Sequence, residues 1–577
     1  MNSFFKRSTL TAAVLFALTQ VTACSSDDDE EEVVVVNSAP TAVTISASSF
    51  DENSVGITIG ELSATDVDEN DSHTFTTTSE YYVISGNTLS LAEGVSFDYE
   101  KQHNSWVEVT ATDSSGASVT DAVLLDINDT HIVVADLPTS YDLADSVSYS
   151  GQVARHLLIN ELNNYISSGL QDDLDNQAFE SRDDVYEYLM SYFSTTDENY
   201  EIDLSQRTLT TSTIVDAVQT TLSEVSSSTK DISGKIAGND TTGQHKDWST
   251  EFVAFGDKGT RSPQQEIERL LGLIADNASE FIAGNTRQDA FGNDISAVYL
   301  GEDGLDYKQL IQKILLGAVT FSQGADDYLD DDTENKGLLT DHTAVVDGKL
   351  YTNLEHQYDE GFGYFGAARD YLTYTDEEIA VKGGRDEYQG MFDTNSDQMI
   401  DFTSEFNFGH SANAAKRDLG TDDNAAPTDL TNDAMVAFIA GRQLLADTAG
   451  TALDEGQMLE LQGFRDQALL AWEQSIAATA VHYINDTLAD YDVFDTDDFS
   501  YADLAKHWSE LKGFVVSLQF SRFSPLSDED HEQVNTLIKD APVLTADSID
   551  AYKADLITAR DILRDAYEFD ADNAENW

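Results

Sequence analysis

The chain has 577 residues, with 107 acidic against 31 basic side chains and a formal net charge of −76. That balance excludes nucleic acid as a partner, because phosphate binding needs clustered Lys and Arg. It fits a salty medium in which screening tolerates the charge, and a chain in which part of the acidity binds cations. Apolar residues at 41% and aromatics at 10% suffice for large cores, which excludes a disordered acidic polymer, and the length accommodates about two to four domains.

The N-terminus reads as a secretory leader. Lys6 and Arg7 supply its positive charge, and TLTAAVLFALTQVTA is an apolar core too short, and too soon followed by charge, to span a membrane. Small residues precede the only cysteine, Cys24, in VTAC. This resembles the bacterial lipobox, which implies cleavage before Cys24 and a diacylglycerol on its thiol; a lone cysteine there has no disulfide partner. Ser25 stands where inner-membrane retention signals carry Asp, which implies the outer membrane, on its periplasmic face or at the cell surface. The expected partners are the membrane, through the lipid anchor, and an outer-membrane protein or cell-surface ligand. Residues 1–23 are then a lipoprotein signal peptide. Residues 24–36, with SSDDDEEEVVVV, are an acidic tether that extends by self-repulsion.

Residues 37–131 alternate polar and apolar side chains in short runs separated by Gly, Asn and Asp, the pattern of an antiparallel β-sandwich. NSAP, DEN at 51–53, ATDVDEND at 64–71, ISGNTLSL, FDYE at 97–100, ATDSSG at 111–116 and DIND at 126–129 follow one another in this order. As a set they resemble the cadherin repeat. The resemblance implies a calcium site at one pole, with Glu52, Asp98, Glu100, Asp126 and Asp129 as ligands. It also implies that Asp66 and Asp68 lie at the opposite pole, where the family's preceding repeat would complete the shell. Such oxygen-rich sets suit calcium, which takes six to eight oxygen ligands in a flexible geometry.

From 136 to 577 the pattern changes to long segments with apolar residues at three- and four-residue steps, predicting a large all-α helical-bundle domain. SRDD, SPQQE and DEGQ place capping residues and acids at helix starts. No short fixed repeat marks a solenoid.

Within this domain, 393–405 (DTNSDQMIDFTSE) fits the first nine positions of an EF-hand calcium loop. The expected ligands are Asp393, Asn395, Asp397, the Met399 carbonyl and Asp401, with Ile400 at the apolar anchoring position. The sixth position is Gln398 where the pattern wants glycine for a positive φ. The twelfth is Ser404, and the acid arrives one residue late as Glu405, which closes the shell only if the loop stretches.

In NLEHQYDEGFGYFGAARDY (353–371), helical spacing puts His356, Asp359 and Glu360 on one face, with Phe362 and Phe365 toward the core and Gly361, Gly363 and Gly366 admitting a close neighbour. KHWSELKGF repeats the three-residue step with His507 and Glu510. The two His-x-x-acid steps resemble the imelysin family, envelope proteins linked to iron uptake whose motif is Gly-x-His-x-x-Glu; the leading glycine is absent at both places. The resemblance implies a transition-metal site, for iron or zinc, built from His356, Asp359, Glu360, His507 and Glu510. Buried His–acid hydrogen bonds produce the same spacing. NFGHSANAAKRD and EHQYDEGFGYFG resemble bacterial lipoproteins of uncharacterised function.

No His-Glu-x-x-His, nucleophile elbow or phosphate loop occurs, so no catalytic residues are assigned. The expectation is a non-enzymatic calcium-binding envelope lipoprotein, a surface-binding or adhesion module with a helical ligand-binding domain. The rivals are an imelysin-like iron or haem acquisition protein and a metallopeptidase.

Overall fold

The computed structural model describes residues 37–577 apart from 52–53, 55, 69–70, 80, 93, 98–103, 129–136, 144–145, 195–203, 214, 228–229, 240–242 and 422–427. The leader, Cys24 and the tether lie outside the described residues, as do Glu52, Asp98, Glu100 and Asp129. The chain divides between 133 and 134 into two compact units, β-rich first and helical second.

The first unit holds β1 (Ala42–Ile45), β2 (Ser49–Asp51), β3 (Thr58–Thr65), β4 (Thr74–Thr76), β5 (Tyr82–Ser85), β6 (Thr88–Leu91), β7 (Asn104–Thr112) and β8 (Ser118–Asn128). They form two sheets, β1-β3-β6-β5 and β2-β8-β7-β4. Alternation decides which side chains meet between them: along β7, Ser105, Val107, Val109 and Ala111 are buried while Asn104, Trp106 and Glu108 face out. Val43, Leu62, Leu89, Leu91, Val107, Val109, Leu125 and Ile127 make the core. The ladders are antiparallel as expected, except that β2 runs parallel to β8, pairing Ser49 with Asp126 and Asp51 with Asn128.

The second unit contains α1 (Ser150–Asn164), α2 (Leu170–Asp175), α3 (Arg182–Phe193), α4 (Leu222–Val225), α5 (Pro263–Ile282), α6 (Tyr307–Leu315), α7 (Asn353–Phe365), α8 (Asp376–Ile379), α9 (Gly409–Asp418), α10 (Leu430–Thr448), α11 (Glu455–Asp492), α12 (Tyr501–Ser517), α13 (Asp528–Ile538), α14 (Ile549–Ala566) and α15 (Ala571–Asn576). Ser181, Ser262 and Asp454 cap α3, α5 and α11 through reciprocal capping boxes. Helix is less continuous than its periodicity predicts. Described residues between α3 and α5 are mostly turns, because Ser, Thr and Asp side chains there offer the backbone local partners and Gly disfavours helix. After α6 the helix widens into π-turns at Leu316–Phe321 and Gly324–Tyr328.

α10, α11 and α12 pack successively, α7 lies against α1 and α10, and a large apolar cluster runs through the unit, with a small second one around Ile295, Leu300, Tyr501 and Ala505. Phe362 and Phe365 are fully buried in it, as expected. Gly361 admits Leu329, Gly363 admits Tyr149, and Gly366 ends α7 at φ 84°. No helix among the described residues is long and apolar enough to cross a membrane.

Candidate metal centres

The ends of β3 and β7 and the turn before β4 meet at one pole of the sandwich. There, ligand atoms of Asp66, Asp71 and Asp113 lie within 4.8 Å of one another. Short local bonds aim each carboxylate. Asp66 accepts from the Asp68 amide at 3.0 Å and lies 3.0 Å from His73 Nε2. Asp113 Oδ1 accepts from the amides of Ser115 and Ala117, both at 2.9 Å, and its Oδ2 accepts from Asn37 Nδ2 at 2.8 Å. Asp71 Oδ1 accepts from the Ser72 amide at 2.7 Å. The Asp68 amide and His73 hold the Asp66 carboxyl below its ordinary range; the Asn37 amide group does the same for Asp113. Three ionised carboxylates this close repel one another unless a cation neutralises them. Oxygen is the only donor type among the three, and that suits calcium.

The sequence reading weighted the other pole. Of that set only Asp126 is described; it is exposed on β8 opposite Asn104. Asp66 joins the cluster, whereas Asp68 spends Oδ2 on the Ser38 amide at 2.6 Å, closing the segment before β1 over the pole. Asp71 and Asp113 were missed, although both stand inside quoted motifs, ATDVDEND and ATDSSG. The motifs carry the residues; that the ends of β3 and β7 and the turn before β4 converge is a tertiary fact.

The 393–405 segment folds as a loop closed at its base by a bridge between Met391 and Phe406. Asp393 accepts from the amides of Asp397 at 3.1 Å and Gln398 at 2.7 Å; Asn395 accepts from Asp397 at 2.8 Å, and Asp397 from Met399 at 2.8 Å. Gln398 takes the left-handed conformation that the sixth position demands, at φ 70°, without glycine. Ile400 anchors the loop by pairing with Ala217. Two features differ from expectation. Glu405 is 1% exposed and turns inward, accepting from the Thr394 amide and hydroxyl at 2.9 and 2.6 Å and from the Asp401 amide at 2.8 Å. It staples the loop from within, because its own buried carboxylate is satisfied by those three donors. Asp401 Oδ1 is held by Thr403 and by Gln219 Nε2 at 2.8 Å. Among the described residues, Asp66, Asp71 and Asp113 are the one group of three acidic or histidine side chains with ligand atoms within 4.8 Å of one another, so the loop carboxylates are more dispersed.

The proposed transition-metal set is not gathered. Asp359 is fully buried and faces Arg442, whose Nε donates to it at 2.8 Å; Tyr141 and the Ser148 amide also donate to it, each at 3.1 Å. Burial nevertheless lifts Asp359 to about 6. His356 stacks on Tyr351 and lies 4.0 Å from Glu360, whose carboxylate also accepts from Gln152 and Gln357. Glu510 pairs with Lys313 at 3.2 Å. His507 points instead toward Asp490 and Asp486 of α11. Helical spacing puts His356 beside Glu360 on α7 and His507 on the same face as Glu510 of α12, but Asp359, Glu510 and His507 each meet an ionic partner on another helix, Arg442, Lys313 and Asp490.

No curated protein matches the sequence. Residues 140–382 match a family model described as Domain of unknown function (DUF4856). The match covers α1 through α8 and the His356–Glu360 turn, and it ends before the 393–405 loop.

Proposed function

We propose that this chain is a non-enzymatic, calcium-binding envelope lipoprotein, anchored through Cys24, whose sandwich is a calcium-dependent spacer or adhesion module and which carries a helical ligand-binding domain. The observation that carries this reading is the convergence of Asp66, Asp71 and Asp113. The Asp393–Asp401 loop, with its anchored Ile400 and left-handed sixth position, supports a second, weaker calcium centre. The secretory leader and the lipobox-like VTAC support export and anchoring.

Calcium titration followed by thermal melting tests the reading. Ligand that binds only the folded state stabilises by about 2.7 kcal/mol at a hundredfold excess over Kd. The sandwich transition is therefore expected to rise in millimolar Ca²⁺ relative to EDTA, and Asp113→Asn with Asp66→Asn is expected to abolish that rise. Identical melts in Ca²⁺ and EDTA would end the proposal.

A further inference from the structure

α11 carries His482, Asp486 and Asp490 at four-residue steps, which puts them on one face of the helix. α12 packs along α11 and brings His507 to that face. His507 Nδ1 lies 2.8 Å from Asp490 Oδ2. Its Nε2 lies 3.9 Å from Asp486 Oδ2, and His482 Nε2 lies 3.4 Å from the same oxygen. The four side chains are 16–34% exposed, so a solute ion can reach them.

We propose that His482, Asp486 and His507 form a site for a first-row divalent transition ion, with Asp490 as a positioning residue. This goes beyond the calcium reading: the residues, the metal class and the unit of the chain are all different. It also differs from a His356–Glu510 set, because its members already share one carboxylate oxygen.

The argument rests on donor chemistry. Two imidazole nitrogens and one carboxylate suit zinc, iron or cobalt, whereas calcium takes oxygen ligands. A metal-ligating imidazole commonly donates its other N–H to a carboxylate, which fixes the tautomer and aims the lone pair. Asp490 stands in that position on His507, leaving Nε2 toward Asp486. Arg417 opposes a cation here; Asp486 and Asp490 favour one, while Glu510 on the adjacent turn of α12 is already matched by Lys313. The two Nε2 atoms are more than 4.8 Å apart. Binding therefore requires a side-chain rotation that draws the two rings together around Asp486.

The test uses the full chain, stripped with chelator and titrated with Co²⁺ while its visible d–d absorption is followed. A saturable band at one equivalent is expected, displaced by Zn²⁺ and unaffected by Ca²⁺. His482→Ala and His507→Ala are each expected to weaken Co²⁺ binding at least about tenfold, and Asp490→Asn by about 10- to 100-fold. Asp486→Asn, which preserves side-chain shape, covers the case in which a histidine variant fails to fold, and circular dichroism verifies the fold of each. Asp113→Asn is expected to leave Co²⁺ binding unchanged, which separates failure here from failure of the calcium reading. No saturable band overturns the proposal, as does wild-type affinity in folded Asp486→Asn or Asp490→Asn, or loss of the band on His356→Ala instead.

Discussion

Arg442 is fully buried, and each of its three guanidinium nitrogens is used: Nε on Asp359, Nη1 on Glu355 at 2.7 Å and Nη2 on Ser146 Oγ at 2.7 Å. Buried pairs gain little net stability over apolar packing, but removing one partner strands the other charge. Arg442→Met is expected to cost about 3–5 kcal/mol in urea denaturation, with part recovered by adding Asp359→Asn. Glu473 is the opposite case, a buried carboxyl served by hydroxyls: Ser524 Oγ at 2.5 Å and Tyr567 OH at 2.8 Å donate to it. Burial lifts it from an ordinary 4.5 to about 7. The folded state thus binds this proton more tightly than the unfolded chain. Its contribution is fully present below about pH 4.5 and is lost as pH rises through about 7. Glu473→Gln is expected to remove that slope and to exceed wild type by roughly 3 kcal/mol at pH 8. Paired urea melts at pH 4 and pH 8 provide the measurement; equal slopes in both proteins would refute it.

Helix α10 approaches α7 closely because Gly441 has no side chain. A Cβ there would stand 2.1 Å from Tyr358 Oη, and the Tyr358 ring is itself fully buried. Gly441→Ala is expected to destabilise by about 1–3 kcal/mol despite alanine's better helix propensity, since the overpacking cost exceeds the roughly 1 kcal/mol propensity gain. Tyr358→Phe in the same chain should recover part of the loss, and a chemical denaturation series measures both. The 393–405 loop shows a different balance at the same scale. Its local chemistry, Asx-type bonds from Asp393, Asn395 and Asp397, forms as the spacing predicts. Its closure by Glu405 differs, because the buried carboxylate is taken up by the Asp401 amide and the Thr394 hydroxyl.

The sandwich and the helical unit have separate apolar cores. Two calorimetric transitions are therefore expected, of which calcium moves the sandwich transition more strongly; one transition that shifts as a whole would contradict this. Periodicity is a local property, and so the sequence by itself determined the order β then α, the burial of Phe362 and Phe365, the capping boxes of α3, α5 and α11, and the turn chemistry around Asp66 and Asp393. Contacts distant in sequence were decided only by tertiary structure. Asp113 reaches Asp66 because β3 and β7 end at the same pole, Asp359 is claimed by Arg442 from α10, and His507 turns to Asp486 and Asp490 because α12 lies along α11. A side chain's spacing fixes the face it occupies; which charge it meets depends on the element packed opposite, and in so acidic a chain many carboxylates compete for each cation and each buried N–H.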